Sequence, residues 1–109
     1  MQPDVTRVGG LSEARRIAWM ADENGVRLIP HGWNTAIGLA ADLQLVSAIA
    51  GTDLVEHIIG SPYVGRSITD PWTLDEEGML SIPAGPGLGV TLGLDAVSRY
   101  TAADVRAWV

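Results

Sequence analysis

Between residues 11 and 59 the chain alternates amphipathic or apolar stretches of helical length with short apolar runs, and this alternation restricts the fold more than any other feature. From Leu11 to Asn24 the apolar residues Leu11, Ala14, Ile17, Ala18 and Ala21 recur at steps of three and four, the spacing of a one-sided helix, and Gly25 stands where a C-terminal cap belongs. Val26 to Ile29 is too short for a helix and reads as a buried parallel strand. Thr35 occupies the N-cap position of a second helix running to about Ala50. Its residues Ala36, Ile37, Leu39, Ala40, Leu43, Val46 and Ala48 cover well over half the circumference. Gly51 and Asp53 mark its end, and Leu54 to Ile59 reads as another strand. Such an order predicts an α/β fold with parallel strands.

The flanks differ. Pro3-Asp4-Val5 has the pattern of a strand end with only two residues before it, so a continuation upstream is expected. After Gly60, prolines at 62, 71, 83 and 86 and glycines at 65, 78, 85, 87 and 89 stop the alternation. Met79 to Ile82 and Leu88 to Leu92 are expected as short strands, Asp75 to Gly78 as a turn and Pro83 to Gly87 as a loop. Two short helical pieces, Asp95 to Tyr100 and Ala102 to Trp108, complete the tail. The chain thus divides into residues 1–60, which alternate, and 61–109, which do not.

A formal charge of −6, with seven arginines and no lysine, leaves no basic patch for nucleic acid and no cationic face for an anionic membrane. Without cysteine there are no disulfides and no thiolate metal sites. The longest apolar region, Ala36 to Ala50, is interrupted by Asp42, Gln44 and Ser47, and the N-terminus lacks the order of a signal peptide. A soluble chain is expected, with the cytoplasm as its default compartment.

Asp4, His31 and Glu56 fall at or near the C-terminal ends of three successive expected strands, the face on which parallel α/β folds keep their chemistry. Neighbouring strands lie about 4.8 Å apart, so three such side chains can converge. A carboxylate beside an imidazole fixes its tautomer and raises its basicity, which makes Asp4 and His31 a candidate acid/base dyad. Glu56, if protonated, can donate a hydrogen bond to a developing oxyanion. A lone histidine at a strand end is more often a structural hydrogen-bonding residue, and spacing alone leaves that reading open.

Other polar residues read as structural. His57 points away from the face of Glu56 if both lie on one strand. Asp42, the lone charge on the apolar helix, is expected at a gap open to solvent or in a local hydrogen bond. Gly85 to Gly89 fits no nucleotide-binding fingerprint and reads as a turn, Asp75 to Glu77 as a solvated surface, and Trp72 and Trp108 as packing anchors for the tail.

The run Pro3-Asp4-Val5-Thr6-Arg7-Val8-Gly9-Gly10 followed by a helix, then Pro30-His31, an apolar helix, a glutamate-bearing strand and the late run Ile82 to Val90, resembles the C-terminal portion of the mandelate racemase and muconate lactonizing enzyme subgroup of the enolase superfamily. The similarity extends over nearly the whole chain in order. It implies the C-terminal segment of a (β/α)7β TIM-like barrel, with Asp4 at the end of strand 6, His31 at strand 7 and Glu56 at strand 8. Residues 61–109 would then form a tail returning to the family's capping domain. It also implies a Mg²⁺-dependent enzyme that removes the proton α to a carboxylate, His31 being the base, Asp4 its orienting partner and Glu56 the electrophilic donor. The superfamily is itself a standard illustration of a Lys or His base acting with Mg²⁺ on an ene-diolate. Trp33 and Asn34 would face the substrate.

The resemblance further implies metal ligands on the third to fifth strands and a catalytic lysine on the second, none of which this sequence contains. Gly93 also stands where a polar residue is expected before Leu94-Asp95.

Two functions follow as expectations. In the first, the chain is the C-terminal part of an acid-sugar dehydratase, or of a related racemase or cycloisomerase, active only with the missing N-terminal barrel half and capping domain and acting on a carboxylate-bearing small-molecule substrate. In the second, it is a non-catalytic α/β module whose open strand edges and apolar helix faces are closed by self-association into a homo-oligomer.

Overall fold

The computed structural model describes residues 1–101. Helix α1 spans Leu11–Glu23 and buries Ala14, Ala18 and Ala21, the stripe expected from its periodicity. Its end is a Schellman motif: the Val26 N–H donates to the Ala21 carbonyl over 2.8 Å and the Gly25 N–H to the Asp22 carbonyl over 2.9 Å. The motif requires a left-handed residue, and Gly25 supplies it with φ 65°.

Helix α2, Ala36–Ala48, starts after Thr35 as expected, although the Thr35 side chain makes no capping hydrogen bond. Unlike α1 it is buried around most of its girth, at Ala36, Gly38, Leu39, Ala40, Ala41, Asp42, Leu43 and Leu45. Small residues let it be covered on two sides. One side joins α1 and the loops through Val5, Ala14, Ala18, Leu28, Ala41, Leu45 and Ile49. The other meets the tail through Leu39, Leu43 and Val64, with Val55, Ile58, Trp72 and Leu80 around them. Each leucine so buried contributes roughly 2 kcal/mol.

The expected strands are not formed: among the described residues none of 26–29, 54–59 and 79–82 joins a β-ladder, and 88–92 contributes only the single bridge residue Leu92. Residues 1–3 and 27–31 nevertheless lie in parallel register. The Met1 amino group donates to the Arg27 carbonyl over 2.7 Å, and the N–H groups of Ile29 and His31 donate to the Met1 and Pro3 carbonyls, each over 3.0 Å. The next bond of a parallel ladder requires an N–H on residue 3, which is proline. Pro30 likewise carries no N–H to offer on the opposite side. Among the described residues of the tail the one bridge is antiparallel, Ile68 with Leu92, flanked by Thr69 N–H to Thr91 O and Gly93 N–H to Ser67 O, both 3.0 Å.

Beyond Gly60 a single turn, α3 (Pro62–Gly65), sets Val64 against α2, with Pro62 in the first turn where its missing N–H costs nothing. The Trp72 indole N–H donates to the Ser81 carbonyl over 3.1 Å, which anchors the tail there. Asp75 closes the expected turn, its Oδ1 accepting from the N–H groups of Glu77 and Met79 at 3.0 and 2.8 Å. Helix α4 spans Leu94–Tyr100, one residue longer than expected, and edge-to-face contact of Tyr100 with Tyr63 ties it to α3. The helix expected over 102–108, with Trp108, lies outside the described residues.

Candidate active site

The turn after Pro3 fixes Asp4. The Arg7 and Val8 N–H groups donate to the Asp4 carbonyl at 2.9 and 3.0 Å, and the carboxylate curls over the same turn. Its Oδ1 accepts from the Thr6 N–H at 2.8 Å and from the Thr6 hydroxyl at 2.6 Å. Its Oδ2 faces two cations or potential cations, the Arg7 Nε at 3.3 Å and the His31 Nδ1 at 3.4 Å. Asp4 is only 7% exposed. That burial pushes its carboxyl up, but Thr6, His31 and Arg7 together outweigh the effect and hold it below the ordinary 3.8.

His31 reaches Asp4 because its own N–H is fastened to the Pro3 carbonyl, one residue before Asp4. At 3.4 Å the Nδ1 to Oδ2 contact is longer than a fully formed N–H···O bond. With Nδ1 turned to Asp4, Nε2 is the ring atom left for proton transfer, and the half-exposed side chain gives it access.

Glu56 comes from the segment after α2. Its Oε2 accepts from the Gly32 N–H at 2.9 Å and its Oε1 from the Gln2 side-chain amide at 2.5 Å. Gly32 is packed so closely on the backbone of Glu56 that any Cβ there would overlap the Glu56 carbonyl oxygen. Two cross-links, Pro3 to His31 and Gly32 to Glu56, therefore gather the three expected residues around the segment Pro30 to Asn34. His57 turns elsewhere: with Leu43, Val55 and Met79 it lines a separate cavity of about 280 Å³, and its Nδ1 has no hydrogen-bond partner.

Trp33 is 73% exposed beside this cluster. Asn34 folds the other way, its side chain filling the space over Gly38 in α2. Asp42 lies next to it and is 0% exposed, which corrects the expectation of a gap open to solvent. Asp42 was expected to find solvent or a local partner and Asn34 to face the substrate, yet the Asn34 amide atoms and both Asp42 oxygens are buried without a completed hydrogen bond. Burial pushes Asp42 up to about 7; the Asn34 amide and His31 act in the opposite sense, and Asp4 and Glu56 add to the rise.

Sequence reasoning overlooked Thr6, Arg7, Gln2 and Gly32. The Asp-x-Thr spacing of a side-chain-capped turn was the available signal for Thr6. A contact such as Gly32 with Glu56 joins residues 24 apart and leaves no local trace.

The arrangement combines an imidazole, a carboxylate that orients it and a second carboxylate nearby, which equips it to move a proton to or from a bound molecule. Among the described residues no three His, Asp or Glu side chains are placed to hold a metal ion, so the expected Mg²⁺ finds no ligand set in them.

A sequence model of the enolase C-terminal domain-like family matches residues 1–97. The chain is 33% identical to D-galactarolactone cycloisomerase of Agrobacterium fabrum, over 95% of this chain and 30% of that protein. To D-xylonate dehydratase of Haloferax volcanii it is 35% identical, over 90% of this chain and 24% of the other. The crystal structure of a mandelate racemase/muconate lactonizing enzyme from Jannaschia sp. CCS1 superposes with a TM-score of 0.80 at 31% identity, over 93% of this chain and 26% of that one. The chain thus spans 24–30% of the length of these two curated relatives.

Proposed function

From the premise that this chain belongs to the enolase C-terminal domain-like family, we propose that His31 and Asp4 are the acid/base dyad of an enolase-superfamily enzyme, with His31 removing the proton α to a substrate carboxylate. The superfamily comprises enzymes, and the solved relatives that match this chain are TIM-barrel proteins of that group. We place Asp4, His31 and Glu56 at the ends of barrel strands 6, 7 and 8, and residues 61–109 against the capping domain.

The observation that carries the reading is the Asp4 to His31 contact at 3.4 Å, secured on the Asp4 side by Thr6 and Arg7. Asp4 remains an anion, so it stabilises the imidazolium formed when Nε2 takes the α-proton. Negative charge then builds on the substrate carboxylate. Glu56 is the proposed electrophilic hydrogen-bond donor to that charge, a substrate oxygen taking the place now held by the Gln2 amide. Trp33, exposed next to His31, forms an apolar wall for the substrate, and Asn34 supports the same loop.

For an acid sugar the imidazolium returns its proton to the β-hydroxyl, which leaves as water and gives a dehydrated product. The names of the D-xylonate and arabinonate dehydratases among the relatives favour this outcome. Racemisation and cycloisomerisation begin with the same abstraction, and relatives named for both exist. Family membership implies a divalent metal, in our reading Mg²⁺, whose ligands we place outside the described residues.

Large apolar side chains stand exposed at Trp33, Leu54, Ile59 and Leu94. Their exposure supports a partner, which we take to be the N-terminal barrel half and capping domain, or in a second, non-catalytic reading another copy of this chain. No helix among the described residues is long and apolar enough to cross a membrane.

The test is to express the intact protein that carries these residues and follow exchange of the α-proton of aldonic and aldaric acids in D₂O, with and without Mg²⁺. Exchange that His31→Asn abolishes is the expected result. Equal exchange in parent and variant overturns the role of His31.

A further inference from the structure

Four polar atoms next to the site have no partner: Oδ1 and Nδ2 of Asn34, and Oδ1 and Oδ2 of Asp42. They belong to two adjacent side chains. Asn34 precedes α2, folds back over Gly38 in its first turn and lies beside Asp42 one turn further on. Such groups are expensive to bury unpaired, and here each residue offers what the other lacks.

A primary amide presents an N–H donor and a carbonyl acceptor; a neutral carboxylic acid presents an O–H donor and a carbonyl acceptor. Face to face, the two close a ring of two hydrogen bonds that engages all four orphaned atoms. An ionised Asp42 has only acceptors. It takes the amide N–H but leaves Asn34 Oδ1 against an anion, so only the neutral acid satisfies both residues.

We infer that Asp42 is a positioning residue, which as a neutral acid pairs with the Asn34 carboxamide and latches the segment Pro30 to Asn34, and with it His31, onto α2. The burial that pushes Asp42 up to about 7 keeps the neutral form present through the neutral range. The charges acting on it are those of Asp4, His31 and Glu56, while α1 and α3 meet α2 through apolar clusters. Above that range Asp42 ionises, the bond to Asn34 Oδ1 is lost, and the latch is held by the amide N–H alone. Only the catalytic consequence rests on the proposed role of His31; the pairing itself does not.

The experiment is nuclear magnetic resonance of the intact ¹⁵N-labelled protein, following the Asn34 side-chain amide and the His31 ring between about pH 5 and 9, in parent, Asp42→Asn and Asp42→Leu. In the parent, one Asn34 amide proton is expected in a hydrogen-bonded position that is kept across the range but shifts with a midpoint near 7 as its acceptor becomes an anion. Asp42→Asn, which pairs amide with amide, keeps that position and loses the midpoint. Asp42→Leu loses the position itself and broadens the His31 ring signals. The inference is overturned if the parent amide shows no midpoint, or if the Asn and Leu variants give the same Asn34 and His31 spectra. Should the Leu variant not fold, the comparison of parent with Asp42→Asn decides alone. A His31→Asn variant of full activity would refute the catalytic role without bearing on the Asn34 amide results in parent, Asp42→Asn and Asp42→Leu.

Discussion

Gly32 donates its N–H to Glu56 Oε2 over 2.9 Å, and the side of Gly32 where a Cβ would project is filled by the carbonyl of the same residue. The contact is backbone on backbone, so no side-chain rotation relieves an added methyl group. Gly32→Ala is expected to cost at least about 2 kcal/mol in urea unfolding and to displace Glu56. An unchanged midpoint would mean that the segments separate easily.

Thr6 gives Asp4 two of its hydrogen bonds, one of them through the hydroxyl at 2.6 Å. Thr6→Val keeps the shape and the N–H but removes the hydroxyl. A loss of about 1 kcal/mol is expected, together with a rise of the Asp4 titration midpoint toward the ordinary 3.8, measured on the ¹³C carboxyl resonance. A midpoint that stays in place would assign the depression to the backbone N–H of residue 6, His31 and Arg7.

Asp42 and Asp4 drive the pH dependence of stability in opposite directions. Asp42 holds its proton more tightly folded, at about 7, than unfolded near 3.8, so its contribution is full below the unfolded value and is lost as pH rises through about 7. Roughly 4 kcal/mol is at stake across that window. Denaturation midpoints should therefore fall between about pH 4 and 7 in the parent and flatten in Asp42→Asn. Asp4, lowered on folding, stabilises above 3.8 and loses that effect as pH falls below it, so the parent should also weaken in strong acid.

The ion pair between Arg27 and Asp53 lies with both side chains more than half exposed. Arg27→Ala is expected to change stability by less than about 1 kcal/mol, whereas Leu39→Ala, in the core beneath α3, should cost about 2–5 kcal/mol. Comparable losses for the two variants would show that the pair does more than decorate the surface.

What the sequence disclosed was local. Steps of three and four residues between Leu11 and Ala21 located α1, and Gly25 marked its cap, because helix bonds and caps join near neighbours. Strand pairing joins distant segments, and nothing in Val26 to Ile29 itself foretold that Pro3 would lack the N–H to extend its ladder. The single turn α3 went unread although Ser61-Pro62 is a helix-start signal. Of the two readings of Asp42 the solvent gap fails, because a carboxylate on an apolar helix looks solvent-facing and only tertiary packing shows that the helix is covered on that side too. The closeness of Asp4 and His31, by contrast, was legible from two strand ends in sequence order.

The bonds from Ile29 to Met1 and from His31 to Pro3 do more than hold two segments together. Parallel segments can shift against each other only in whole steps of two residues if side chains are to keep their faces, and one such step is about 6.6 Å. A slip of that size would carry His31 well beyond reach of Asp4. Graded weakening along this seam is therefore unavailable: a population of molecules should contain aligned copies with the contact intact and misaligned copies with none.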